Sequence, residues 1–202
     1  MAVTQIKLNL CSIAVSKIIG DEVTSSSADG NLFTGLNRLE AINRARGNVY
    51  SQILNTTGIS QFLAMYPEFS GTKTVTAPTL NTIPDKGADC RAIIKLYLKS
   101  MIAEGIPAEQ KLNALYDTFS NWRATSTSPK FIEETQSVVI LGVSLSAGDN
   151  IIMSYLKQPV DISGYSPNGE DLIEPYTWLG LIINEAVAYL YYTKQKMIPQ
   201  TK

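Results

Sequence analysis

Apolar residues recur at helical spacing through most of the first half of the chain. Ile6, Leu10, Ile13 and Ile18 predict a helix over Thr4 to Ile19, ended by Gly20. The Ser-, Asp- and Gly-rich stretch Asp21 to Asn31 reads as a loop. Phe33 to Leu54 carries one long stripe, Leu36, Leu39, Ile42, Ala45, Val49 and Ile53, with Arg38, Arg44 and Arg46 off it and Thr34 as N-cap. Gly47 weakens that helix or marks close approach of another backbone. A short helix over Thr57 to Tyr66 follows and stops at Pro67. Gly71 to Pro84 alternates Thr with Lys, Val, Ala and Leu around two prolines, and is either an extended arm or a weak edge strand. Lys86 to Glu104 then predicts a helix with Cys90, Ile93, Ile94, Tyr97, Leu98, Met101 and Ile102 inward. Pro107 opens another, with Leu112, Leu115, Tyr116, Phe119 and Trp122 as its buried face. The join Gly105-Ile106 is so short that the two make an antiparallel helical hairpin.

The pattern changes after the turn-rich stretch Thr125 to Lys130. Gln136 to Leu145 is β-branched and apolar, Ser146 to Asn150 is a turn, and Ile151 to Leu156 is a second strand, which together predict a β-hairpin or a β-arch. A Gly/Pro/Ser/Asn loop follows over Asp161 to Glu170. Asp171 to Lys196 predicts a long closing helix, with Pro175 in its first turn, Asp171 and Glu174 at its positive end, and Leu179, Ile182, Ile183, Ala186, Val187 and Leu190 as its stripe. The expected fold is therefore mainly α, a helical bundle with a β-hairpin insert and a long C-terminal helix. It forms a single domain over 1–202: bundle 1–124, hairpin 136–157, closing helix 171–196, extended arm 71–84.

Composition adds two things. Hydrophobic residues make up 45% of the chain, enough for a core, but charged residues only 17%, below the roughly 25% of ordinary soluble domains. Either part of the surface is hidden against partners, or the chain is simply rich in Ser, Thr and Asn. The net charge of −1 lacks the basic excess that grips phosphates, which argues against specific nucleic-acid binding but not against a passive wall around DNA. Cys11 and Cys90 allow one disulfide by count; they read as a reduced, buried pair, in keeping with cytosolic assembly. Leu8-Asn9-Leu10-Cys11 is a poor lipoprotein cleavage site, because Leu10 stands where a small residue is wanted. No stretch reaches the eighteen or so apolar residues of a membrane span.

Catalytic chemistry is not visible. The chain has no histidine, which removes Ser-His-Asp and Cys-His systems and the usual zinc sets. No phosphate-cradling glycine loop occurs. Ser70-Gly-Thr-Lys73 and Ser154-Tyr-Leu-Lys157 match a Ser–Lys dyad spacing, but the first sits in a polar stretch and the second on a predicted strand that turns the two side chains to opposite faces. Glu133-Glu134 and the acids between Asp161 and Glu174 lack metal-binding spacing. The expectation is a protein without catalytic, cofactor or metal residues that works through its surfaces.

The order of elements resembles the head–tail connector proteins of tailed phages, the adaptor subunits that form a ring beneath the portal. The likeness is carried by Phe33-Thr-Gly-Leu36-Asn-Arg-Leu39-Glu-Ala-Ile-Asn43-Arg-Ala-Arg, by Val138-Val-Ile-Leu141, by Ala147-Gly-Asp-Asn-Ile151-Ile-Met-Ser-Tyr155 and Pro159, and by Ile173-Glu-Pro-Tyr176 with Asn184-Glu-Ala-Val-Ala188-Tyr-Leu190. The arm and the helical hairpin exceed the minimal pattern and suit a neck of several stacked rings, as in crAss-like phages. The resemblance implies a virion protein assembled in the host cytoplasm. It implies a ring of twelve copies contacting the portal and the next neck or tail protein, with DNA passing through unbound and no membrane involved. The candidate contact residues are the hairpin tip Ser146, Ala147, Gly148, Asp149 and Asn150, the helix residues Tyr189 and Tyr192, and the tail residues Ile198 and Pro199. Two other expectations stay open: a secreted or lipid-anchored binding module, for which Cys11 would be the anchor, and a tail-tube or stopper component.

Overall fold

A computed structural model describes residues 5–20, 35–76, 82–83, 85–98, 113–114, 130–133, 137–142, 150–163 and 171–197. These fall into two compact units. One combines residues 1–68 with 159–202, and the other is the segment 69–158 between them.

The first unit is helical. Strand β1 (Gln5–Lys7) leads into α1 (Leu8–Ile19), followed by α2 (Gly35–Thr57) and α3 (Ile59–Met65). After the second unit the chain returns through β9 (Asp171–Pro175), a 3-10 turn at Tyr176–Trp178 and α4 (Leu179–Met197). Most of each expected stripe faces inward, Leu39, Ile42, Ala45 and Val49 from α2 and Ile182, Ala186 and Leu190 from α4, but Leu36, expected on the α2 stripe, is exposed at the start of that helix. Leu8, Cys11 and Val15 of α1 complete the core. Phe62 of α3 lies under Trp178, with Tyr50 edge-on to it at 5.5 Å between ring centroids and Tyr66 edge-on to Trp178 at 5.0 Å. Edge-to-face pairs of this kind align the positive ring edge with a negative face.

Both terminal helices are shorter than their apolar patterns predict. Gln5 to Lys7 and Asp171 to Pro175 pair as antiparallel strands, Gln5 opposite Pro175 and Lys7 opposite Asp171. Pro175 is extended at φ −69° and ψ 149°, and a proline biases the residue before it away from helix as well. The closing helix therefore starts at Leu179, not Asp171.

The second unit is built of strands, and it overturns the mainly α expectation. The described residues are 55% helical and 31% strand, a mixed α/β fold. Strands β2 (Ser70–Thr76), β8 (Asn150–Lys157) and β4 (Cys90–Leu98) form an antiparallel sheet in the order β2-β8-β4. A second sheet has the order β3-β7-β6-β5, from Thr82–Ile83, Val138–Leu141, Lys130–Glu133 and Asn113–Ala114. Ile83, Leu96, Phe131, Val138, Ile140, Ile151 and Met153, drawn from both sheets, form one buried cluster.

Three elements are corrected by this unit. The helix expected over Lys86 to Glu104 is strand β4 across Cys90–Leu98, paired along its length with β8. Its apolar run is rich in β-branched and aromatic residues, and once both faces are half covered a short run of this kind satisfies a strand as well as a helix. Of the helix expected from Pro107 to Trp122, only Asn113 and Ala114 are described, and they are strand β5, parallel to β6. Among the described residues, the helices expected within 1–124 thus end at α3. The strands expected to form a hairpin over 136–157 do not pair with each other, since β7 pairs with β3 and β6 while β8 pairs with β2 and β4. Of the hairpin and the arch, the arch fits strands that belong to different sheets. Of the stretch 71–84, residues 71–76 belong to the edge strand β2, in unbroken register from Ser70 opposite Leu156 to Thr76 opposite Asn150, and Thr82–Ile83 are β3 in the other sheet, while 77–81 and 84 lie outside the described residues.

Candidate functional site

The expected contact residues separate into two groups. Ser146, Ala147, Gly148, Asp149, Ile198 and Pro199 lie outside the described residues. Asn150 is half-buried at the start of β8, opposite Thr76, and takes part in the sheet. Tyr189 and Tyr192 are brought together in one groove on the helical unit, between α2 and α4.

Helix geometry explains the pairing. Tyr189 and Tyr192 are three residues apart on α4, so both lean to one side of the inward stripe Ile182, Ala186 and Leu190. That side meets α2. There the Arg44 guanidinium stacks on the Tyr189 ring, 4.6 Å from its centroid. The Tyr189 hydroxyl donates to Glu40 Oε1 at 3.2 Å, and Asn48 Nδ2 donates to Glu185 Oε1 at 2.8 Å. Ala45 and Ala188 floor a groove of about 220 Å³ whose mouth is Tyr192, itself 58% exposed.

Arg44 also borders a second, more open groove of about 510 Å³. Its walls are Leu36 and Leu39 of α2, with Glu40, on one side and Asp161 to Ser163 on the other. Leu36 is 73% exposed. The segment 159–163 is held onto α2 by a polar clamp. Asn43 Nδ2 donates to the Ile162 carbonyl at 3.0 Å, and the Ile162 amide donates to Asn43 Oδ1 at 3.1 Å. Beneath them Arg46 donates to both Glu174 oxygens, at 2.7 and 3.3 Å, and to the Val160 carbonyl at 3.0 Å. The grooves are thus edges of a fixed scaffold.

The outer side of α4 continues this surface. Gly180, Leu181, Asn184, Ala188, Tyr191 and Tyr192 are all exposed there, and none is charged. The sequence pattern placed Leu36 on the buried stripe of α2 and Arg44 off it, and none of Leu36, Glu40, Arg44 and Glu185 was expected at a contact. The spacing of Glu40 and Arg44, four apart on one helix face, was the available signal.

Elsewhere the candidate chemistry is not assembled. Ser70 and Lys73 lie on β2, and Ser154 and Lys157 on β8, so each pair points to opposite sheet faces. Lys86 is engaged by Glu133 at 2.7 Å. Both cysteines are free and buried. Burial first, then the Glu174 charge, pushes the Cys11 thiol up to about 12, and burial with the Glu133 charge pushes Cys90 up to about 11. Burial and the hydrogen bond to Asp89 push the Tyr155 hydroxyl up to about 12. These are protonated, unreactive groups at neutral pH. Among the described residues no cluster of His, Cys, Asp or Glu is placed to hold a metal, and no helix is long and apolar enough to cross a membrane. No known family model matches the chain, and no curated protein matches it in sequence.

Proposed function

We propose that the chain is a structural subunit of a tailed-phage neck, an adaptor that forms a ring, joins the portal to the tail and extends the DNA channel. The observation that carries the reading is the α2–α4 face. It combines an arginine stacked on a tyrosine, a second open tyrosine, an exposed leucine and an uncharged outer helix side. Tyrosine and arginine on a preset scaffold are the composition of protein–protein contact centres. Of the segments on which the resemblance was drawn, those in α2 and α4 are helical, as the resemblance requires. The sheet unit stands where a helical hairpin and a β-hairpin were expected, so the reading leans on the helical unit.

The lipid-anchored alternative fits the packing less well. Cleavage before Cys11 would remove β1 and the buried Leu8, and would take an anchored sulfur out of the core. Cryo-EM of the virion that carries this chain tests the proposal. Ring density at the neck fitting the helical unit is expected. Density in the tail tube, or none in the particle, would overturn it.

A further inference from the structure

We infer that copies of this chain associate head to tail, α1 of one copy seated on the α2–α4 grooves of the next; the inference rests on the ring reading for its biological setting. Two surfaces of the helical unit fit each other. The first is the outer side of α1. Leu10, Ala14, Lys17 and Ile18 fall on one side of that helix, opposite the buried Leu8, Ser12, Val15 and Ser16. Leu10 is 44% and Ile18 53% exposed. Lys17 is the only charged residue of α1, so this row is apolar with a single positive charge.

The second surface is the pair of grooves. Its apolar elements are Leu36, Ala188 and Tyr192, and its charged lining is Glu40, Asp161 and Glu185 against Arg44. Three carboxylates against one guanidinium leave it acidic. The Arg44 guanidinium is itself engaged by the face of the Tyr189 ring. The apolar rows match in kind and the charges match in sign, as a specific contact needs.

The two surfaces are separate. No residue of α1 lines either groove, because α1 covers another part of the α2–α4 pair with its buried side. A contact between different patches of identical chains is heterologous, and it propagates into a ring or a filament. A patch that met its own copy would stop at a dimer.

Cross-linking of the full chain reads this directly. Ile18→Cys on α1 and Ala188→Cys in the groove are both exposed positions. The native thiols are buried, with pKa values pushed up to about 12 and about 11, and react slowly with a maleimide. With a short bis-maleimide, the chain carrying both substitutions is expected to give a ladder of three or more copies. A mixture of the two single variants should give dimers, and each single variant alone only monomers. Adding Lys17→Glu should cut the ladder about fivefold, the scale of an exposed ion pair, and Asp161→Lys in the same chain should restore it. A single variant that cross-links to itself, or a double variant that stays monomeric at millimolar concentration, overturns the contact. A ladder from a chain absent from the neck would leave the contact standing and sink the connector role. Neck density without a ladder would do the reverse.

Discussion

The two units hold their buried groups in different ways. The helical unit buries charge. Arg46 and Glu174, 4% and 0% exposed in their side chains, join α2 to β9 across 128 residues of sequence. The sheet unit keeps its charge at the rim, where Lys86 meets Glu133 and Tyr155 donates to Asp89 at 3.0 Å, and fills its centre with apolar side chains. The contrast follows from chain path. The helical unit is made of two stretches separated by the whole sheet unit, so its halves must recognise each other. A bidentate ion pair with a third bond to the Val160 carbonyl has one satisfactory geometry. The sheet unit is one continuous stretch, and strand register does the same job through backbone pairing.

The largest expected effect breaks the clamp. Glu174→Ala leaves the Arg46 guanidinium buried without its carboxylate, a loss of about 3–5 kcal/mol. Hydrogen exchange followed by segment should show α1, α2 and α4 opening, with β4 and β8 unchanged. Met153→Ala is the matching lesion in the sheet core, at about 2–5 kcal/mol, and should open β4 and β8 while sparing the helices. If either substitution loosens both units equally, the division is wrong.

Gly71→Ala comes next. A Cβ there would lie 2.5 Å from Tyr155 Cζ, because the tyrosine ring of β8 covers the glycine of β2. Overpacking of this kind costs about 1–3 kcal/mol, measurable as a lowered urea midpoint. Alkali should act in the same direction. The Cys11, Cys90 and Tyr155 groups hold their protons to about 12, 11 and 12, against ordinary values of 9.0, 9.0 and 10.0. The unfolded chain loses those protons first, so stability present below pH 9 falls as pH rises toward 12. Two of the three groups belong to the sheet unit, which should therefore yield first; Cys90→Ala should narrow the gap. The smallest effect has the opposite sign. Nothing lies within 4 Å of a Cβ built on Gly47, so Gly47→Ala in mid-α2 should stabilise the helical unit by about 0.5–1 kcal/mol, seen as a raised melting temperature.

Periodicity was a good guide where one face of an element is buried and the other wet. It located α2 and the inward stripe of α4, but it put Leu36 on the buried side of α2 and read α1 from Leu10 and Ile18, which are exposed. It failed at β4, where Ala92, Ile93, Ile94 and Tyr97 are all half-buried and alternation is blurred by two register shifts against β8. It failed again at Gln5–Lys7 and Asp171–Pro175, which are strands only because they pair with each other. The same limit governs the site. Tyr189 and Tyr192 were legible as interface-type residues. Glu40 and Arg44, the partners of Tyr189, and Asn48, the partner of Glu185, sit far earlier in the chain, and only tertiary packing brings them near. Gly71 gave no signal either, because its need for a bare Cα comes from Tyr155.

The proposed role requires the α2–α4 face to be covered in the assembled particle. Hydroxyl-radical footprinting of the chain alone and within the assembled particle tests it most directly, read at Leu36 and Tyr192 against the buried Tyr50. Oxidation of Leu36 and Tyr192 is expected to be strong in the free chain and sharply reduced in the particle, with Tyr50 slow in both. Equal oxidation of Leu36 and Tyr192 in the two states would contradict that requirement.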